Sequence, residues 1–369
     1  MALSWVATDA RTGAVVADLP GLECSTVKRS ICRYESTTAT LPIPTAPENW
    51  RDATRPGGSV MILLSDGVPI WGGMVTQRTR DLTDSVSLSL ATVEAYLDRR
   101  FVGDVTYTAT GQNAIVAAIF AAYVTTGPRG GLPFRLAYTG AGTLRDRSYL
   151  RSDRKTVYSA LTELSAVLGG PEWTVEWEWQ HSPERITPVL YVGDRVGVAV
   201  TPGLSPAATF QAPGPVTDAT LVEDYSAGKG ANSVIAYSSA SAGDVPTSPV
   251  QVAADDGRPT FETDIQPSTS ITDVAVLTSH AMAALATLAP GGSALALQAV
   301  VEKAPKLGVD WMLGDDVGYK IGGREYDGTP NGRESVPAFP GGIEGVMRAI
   351  GWEMSLDGVQ TITPVLATT

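Results

Sequence analysis

The chain has 369 residues, a formal net charge of −12, 43% hydrophobic residues and 18% charged residues. It is too apolar for general disorder and long enough to bury two or three cores. No run reaches the roughly 20 apolar residues of a membrane helix. The acidic balance opposes nucleic-acid binding, because phosphates are held by Lys and Arg.

The N-terminus "MALSWVATDARTG" has neither a basic start nor an apolar run. No secretion signal is read there, and synthesis in a cytoplasm is expected. "LSWVATD" and "AVVADL" flank a polar turn with Gly13, so residues 3–19 should form a hairpin. "RYESTTATLPIP" reads as a threonine-rich strand that ends at prolines. In "SVMILLSDGVPIWGGMV" the Asp66–Gly67 turn joins two strands, the second leaving through Gly72–Gly73. "DSVSLSLAT" alternates Val86, Leu88 and Leu90 with serines, the period of a half-buried strand. Thr92 is then expected to cap a helix "VEAYLDRR" that packs Tyr96 and Leu97 inward, with Arg99 and Arg100 at its negative pole.

From about residue 105 the period changes. "TGQNAIVAAIFAAYVTT" places Ile115, Ile119 and Tyr123 on one helical stripe. "SDRKTVYSALTELSAVLGG" predicts a second helix, with Asp153 as cap and Val157, Leu161, Leu164 and Leu168 as its stripe. "PEWTVEWEWQ" sets Trp173, Val175, Trp177 and Trp179 against Thr174, Glu176 and Glu178. That aromatic face is either a sugar platform or, more commonly, core beneath the preceding helix. The two glutamates read as a solvated face. Later strands are "ITPVLYVGD", "SVIAYSS", "ALALQAVV", "DWMLGDDVGYKI" and "VMRAIGWEMSLDGVQTITPVL", interrupted by a helix in "SITDVAVLTSHAMAALATLAPGG". Residues 238–259 and 322–342 read as long polar loops.

Chemistry is sparse. Cys24 and Cys32 either pair across a hairpin or stay as two small thiols, the commoner state in a reducing compartment. Two cysteines and the distant His181 and His280 do not have zinc spacing. No G-x-S-x-G, Walker A, HExxH or EF-hand pattern occurs, and the Asp-Gly turns carry too few ligands for calcium. His280, in an alanine and methionine stripe, reads as a core or interface residue. Neither an enzyme nor a cofactor is expected.

The order of these features resembles the tail-hub, or minor tail, proteins of long-tailed bacteriophages, especially those infecting actinobacteria, relatives of the baseplate hub of contractile-tailed phages. The likeness rests on "DARTGAVVADLP", "PIWGGMVTQRTRD", "VSLSLATVEAYLDRR", "DRKTVYSALTELSAVLGGPEWTVEW" and "WMLGDDVGYKI". Trp71, Gly73 and Val75 match the family's W-x-G-x-V strand, and Tyr96, Leu97 and Arg100 its YL–R ending. Gly314, Asp315 or Asp316, and Val317 match its GD-x-V strand, which follows Trp311 in "WMLGDDVGYKI". The resemblance implies an α+β, mainly β fold: two small tail-tube-like β-barrels with an α/β insertion between them. Residues 1–104 would be the first barrel, completed by about 205–245. Residues 105–204 would be the insertion, and 246–369 the second barrel with one helix and long loops.

It further implies a homotrimeric ring in the virion that caps the tail tube, nucleates assembly and gates DNA passage. Its expected partners are a distal tail protein, the tape-measure C-terminus, and tail fibre or spike proteins, with no specific nucleic-acid binding and no membrane insertion. Many relatives continue into wall-cleaving or fibre-like regions; this chain stops soon after "DGVQTITPVL" and reads as a bare hub. Alternatives are a distal-tail adaptor ring, or a wall-carbohydrate-binding or hydrolysing tail protein that uses the tryptophan face.

Overall fold

The structure is a computed structural model describing residues 2–167, 169–226, 228–239, 245–267, 271–322, 336, 338–339 and 341–367. It is mainly β, with strands outnumbering helices throughout. The chain divides into two compact units, Met1–Asp218 with Leu297–Thr369, and Ala219–Ala296.

The larger unit begins with β1 (Leu3–Asp9), β2 (Val15–Asp18), β3 (Glu23–Cys24), β4 (Thr26–Ser30) and β5 (Ser36–Pro42). A short helix α1 (Trp50–Ala53) precedes β6 (Ser59–Ser65), β7 (Val68–Arg80) and β8 (Ser85–Thr92). All but β4 form one seven-stranded sheet in the order β2-β1-β6-β7-β8-β5-β3. Asp66 and Gly67 both have positive φ, the geometry that lets a two-residue turn follow strand twist. Every residue of β6 is buried, so this strand is covered on both faces. On one face the register lines up Trp5, Leu63 and Trp71 across β1, β6 and β7. The Trp5 and Trp71 rings meet edge to face, 5.8 Å apart.

Gly72 and Gly73 do not end their strand as expected; both lie inside β7. A Cβ on Gly72 would stand 2.1 Å from the Trp177 ring, so the missing side chain makes room for an indole from a strand a hundred residues away. The segment after β8 also differs from expectation. Val93–Arg99 is a 3-10 helix, and the Thr92 hydroxyl makes no cap; it accepts from the Glu35 amide at 3.2 Å.

The next elements are β9 (Val105–Gly111), α2 (Gln112–Tyr123), β10 (Arg135–Tyr138), β11 (Leu144–Tyr149), α3 (Val157–Ser165), β12 (Glu172–His181) and β13 (Glu184–Gly193). β9 and β11 make a ribbon, and β10-β13-β12 a small sheet. One buried cluster joins Val6, Ile62 and Leu64 of the first sheet to Ile115 and Phe120 of α2, Leu161 and Leu164 of α3, and Trp173 and Leu190. The core therefore runs across residue 104 without a break. Trp177 and Trp179 pack against the same cluster, half-buried, so the aromatic face is core. Leu168 lies outside the described residues.

Asp153 does not cap α3. Thr156 does, its hydroxyl accepting from the Ser159 amide at 3.1 Å. The helix starts later than the polar run suggested because Arg151–Asp153 form their own 3-10 turn. Thr156→Ala should cost about 1 kcal/mol, and Asp153→Ala should leave the cap intact, as urea unfolding of both variants would report.

Strands β14 (Thr209–Ala212), β15 (Val216–Asp224), β19 (Gly292–Val300), β20 (Asp316–Ile321), β21 (Ile343–Ser355) and β22 (Thr361–Ala367) follow the order β14-β20-β21-β22-β19-β15, while β4 also pairs with β21. β20 and β4 lie end to end along one edge of β21, covering Ile343–Arg348 and Gly351–Ser355 respectively. Thus β3 and β4, separated by one residue, belong to different sheets. Most of the expected loop 322–342 lies outside the described residues.

The smaller unit contains β16 (Ser233–Ala236), β17 (Gln251–Val252), β18 (Glu262–Ile265) and α4 (Val274–Leu288), with sheet order β17-β16-β18. Leu277 and Ala281 of α4 pack on Val234 and Ala236. β17 falls inside the expected loop 238–259, of which residues 240–244 are outside the described set. His280 is exposed on α4 rather than buried in its core.

Candidate functional site

β12 has two faces with different duties. Trp173 and Val175 enter the core, while Glu172, Thr174 and Glu176 alternate onto the other side, as the two-residue period of a strand requires. That second face is not simply solvated. Two arginines brought up by β4 and β21 grip it at successive positions.

Arg29, 4% exposed, comes from β4. It donates to Glu176 Oε2 at 2.9 Å, to Thr174 Oγ1 at 2.9 Å and to the Val175 carbonyl. Its Nη2 also lies 4.0 Å from Oε1 of Glu94, a buried residue of the Val93–Arg99 turn. One guanidinium thus ties together β4, β12 and the end of the first sheet. Two carboxylates share this single cation. Burial pushes the Glu94 carboxyl up from the ordinary glutamate range, outweighing the pull of Arg29.

A proton held more tightly in the folded than in the unfolded chain favours folding at low pH. This contribution is complete below the unfolded glutamate pKa and fades as pH rises through the raised native value. Wild type should therefore lose stability relative to Glu94→Gln as pH rises. Thermal unfolding of both between about pH 5 and 9 checks this; parallel curves would assign the proton elsewhere.

Four residues along the same face, Glu172 meets Arg348 of β21 in a two-pronged pair, Nη1 to Oε1 at 2.6 Å and Nη2 to Oε2. Such fork-to-carboxylate geometry fixes orientation as well as charge. Arg348 also donates to the carbonyls of Gly314 at 3.1 Å and Val196 at 2.8 Å. Nearby, Cys32 Sγ lies 3.3 Å from the Trp173 amide, and burial pushes its thiol up to about 11. Cys24 and Cys32 are both free thiols.

The "WMLGDD" segment straps the chain that leaves β13. Asp315 accepts from the amides of Val198 at 2.6 Å and Met312 at 2.8 Å; Asp316 accepts from the Val200 amide at 2.9 Å and from Arg195. Gly314 and Gly197 touch backbone to backbone. A Cβ on Gly314 would lie 2.4 Å from the Val196 carbonyl oxygen, and one on Gly197 would lie 2.0 Å from the Gly314 carbonyl carbon.

The other residues singled out in the sequence also occupy framework positions. Trp71, 1% exposed, donates from Nε1 to the Lys28 carbonyl at 3.0 Å and so pins β4. Gly73 and Val75 continue β7, and Leu97 is in the main core. Trp311 donates to the Pro305 carbonyl at 3.1 Å and stacks edge to face on Phe210. Arg100 does serve a negative helix pole, but that of α2: it donates to the carbonyls of Tyr123 and Thr126 while lying over the Tyr96 ring. Tyr96 also lines a surface cleft of about 510 Å³ with Tyr34, Met74, Ala91, Asp98 and Arg99.

Arg29, Glu94, Glu172, Arg195 and Arg348 were not singled out. The signal available for Arg29 was its place two residues after Val27 on the same strand face, an arginine at a position patterned for burial. Among the described residues no three His, Cys, Asp or Glu side chains are grouped to hold a metal.

No family model matches the sequence, and no curated protein matches it. Solved structures do match in fold. The 43 kDa tail protein of prophage MuSo2 from Shewanella oneidensis aligns with a TM-score of 0.55 at 12% identity, over 99% of this chain and 98% of that one. A tail protein from Neisseria meningitidis MC58 aligns with a TM-score of 0.55 at 14% identity, over 98% and 96%. A lidless PdpA–VgrG complex aligns with a TM-score of 0.52 at 7% identity, over 98% of this chain and 64% of that one. Over nearly all of its length the chain is similar in fold to the two tail proteins.

Proposed function

We propose that this chain is a structural hub of a phage tail or baseplate, three copies of which close a ring that caps the tail tube, nucleates its assembly and gates DNA passage. The observation that carries the reading is the two-way coverage: 98% or more of this chain matches 96% or more of two tail proteins, so the whole architecture is shared and not one common module. The seam of Arg29 and Arg348 supports a rigid structural part, because it fastens β12 and its small sheet to the paired strands β4 and β21. In this reading the two large sheets supply the two barrel-like elements of each copy. Three copies then offer six such elements to a six-fold tube, with sheet edges joined between neighbours.

The ring would sit at the tail tip of the virion. A distal tail protein would lie above it, the tape-measure C-terminus inside, and fibre or spike proteins below. Light scattering of the purified chain after size exclusion should give the mass of three chains, and antibody labelling should mark the tail tip. A stable six-chain ring would overturn the hub in favour of a distal-tail-type adaptor.

A further inference from the structure

Charge is unevenly distributed along this acidic chain. Residues 99–155 carry nine Lys and Arg against three Asp, a net of +6, whereas the smaller unit, residues 219–296, carries two against eight carboxylates, a net of −6.

The two ends of the basic segment meet on the larger unit. The Val102 amide donates to the Lys155 carbonyl at 3.0 Å and the Val157 amide to the Arg100 carbonyl at 2.8 Å, so residues 99–102 run beside 155–157. The Arg151 guanidinium lies 4.9 Å over the ring of Phe101, which is 42% exposed, and Leu150 beside it is 52% exposed. Arg99, Arg151 and Arg154 are exposed and form no ion pair among the described residues.

In the smaller unit, by contrast, both cations are already engaged: Lys229 pairs with Asp224, and Arg258 with Asp256. Glu262 and Asp264 are exposed on edge strand β18. The register sets them opposite Ser233 and Ile235, on the sheet face away from the Val234 and Ala236 side that α4 covers. Val252, 69% exposed, shares that face through its pairing with Ser233.

We infer that the basic, apolar-edged corner at Phe101, Arg151 and Arg154 of one copy docks on the acidic face at Glu262, Asp264 and Val252 of a neighbouring copy. Each surface has what the other lacks: guanidinium groups beside an exposed ring and leucine, facing carboxylates beside an exposed valine, neither set in an ion pair among the described residues. The contact is heterologous, joining two different surfaces, and therefore builds a ring when the rotation closes. Complementary charge of this kind selects partner and register and weakens with salt. The inference rests on the proposed ring and names the surfaces that close it.

The test uses the full chain in sedimentation experiments. Arg151→Glu with Arg154→Glu, or Glu262→Arg with Asp264→Arg, should each weaken self-association about 10-fold or more at low salt. The four changes combined should restore it, a rescue that misfolding of either parent cannot imitate. Raising salt should weaken the wild type and leave the single-sided variants less affected. An assembly indifferent to every reversal keeps the ring and overturns this contact. A wild-type chain that never assembles defeats the ring reading itself. Loss of binding to a labelled duplex DNA on Arg151→Glu with Arg154→Glu, with assembly intact, assigns the corner to nucleic acid and overturns the docking.

Discussion

Arg29→Met should lower the unfolding free energy by about 3–5 kcal/mol, the range seen when one partner of a buried ion pair is removed. Methionine fills much of the stem's volume, so the loss is chiefly electrostatic. It strands Glu176, whose Oε1 already has no partner, and leaves Glu94 more than nine-tenths buried without its cation. Thr174 Oγ1 and the Val175 carbonyl lose a donor as well. Adding Glu176→Gln to Arg29→Met should recover part of the loss, because the neutral amide no longer needs the charge. Guanidinium unfolding of the four members of this cycle measures the coupling. A single variant within 1 kcal/mol of wild type would show that the seam contributes little (about the size of a surface pair).

Gly314→Ala should be nearly as damaging, for a backbone reason. Gly314 has φ +98, outside the range an L residue adopts comfortably, which costs about 1–2 kcal/mol. Its new methyl would also meet the Val196 carbonyl oxygen at 2.4 Å, and neither neighbour is a flexible side-chain tip. Forcing that contact adds about 1–3 kcal/mol. Gly57→Ala is the control: its φ is +67 with nothing within 4 Å, so only the strain remains. Equal losses in the two variants would mean that the strap between Arg195–Val200 and the "GDD" turn yields easily.

These two positions differ in how far the sequence discloses them. Gly314 stood in a recognisable motif; its partner Gly197 did not, because the meeting of two glycines 117 residues apart is set by how β13 leads into β14. Most strands and three of the helices follow from period and turn chemistry, since a two-residue alternation or a helical stripe records local burial. Asp66–Gly67 marks its hairpin for the same reason. At two positions where expectation failed, a distant group was responsible. Gly72 looked like a strand exit until the Trp177 indole accounted for it, and Glu176 looked solvated until Arg29 arrived from β4.

The sequence by itself determined a mainly β chain, the faces of its regular elements, and the acidic and basic stretches along it. Tertiary structure decided which strands share a sheet, that the core crosses residue 104, and that β3 and β4 part company after one residue. It also decided that a single arginine would be claimed by two carboxylates. The physical reason is that periodicity reports whether a side chain is buried, whereas the identity of what buries it depends on contacts between segments far apart in the chain.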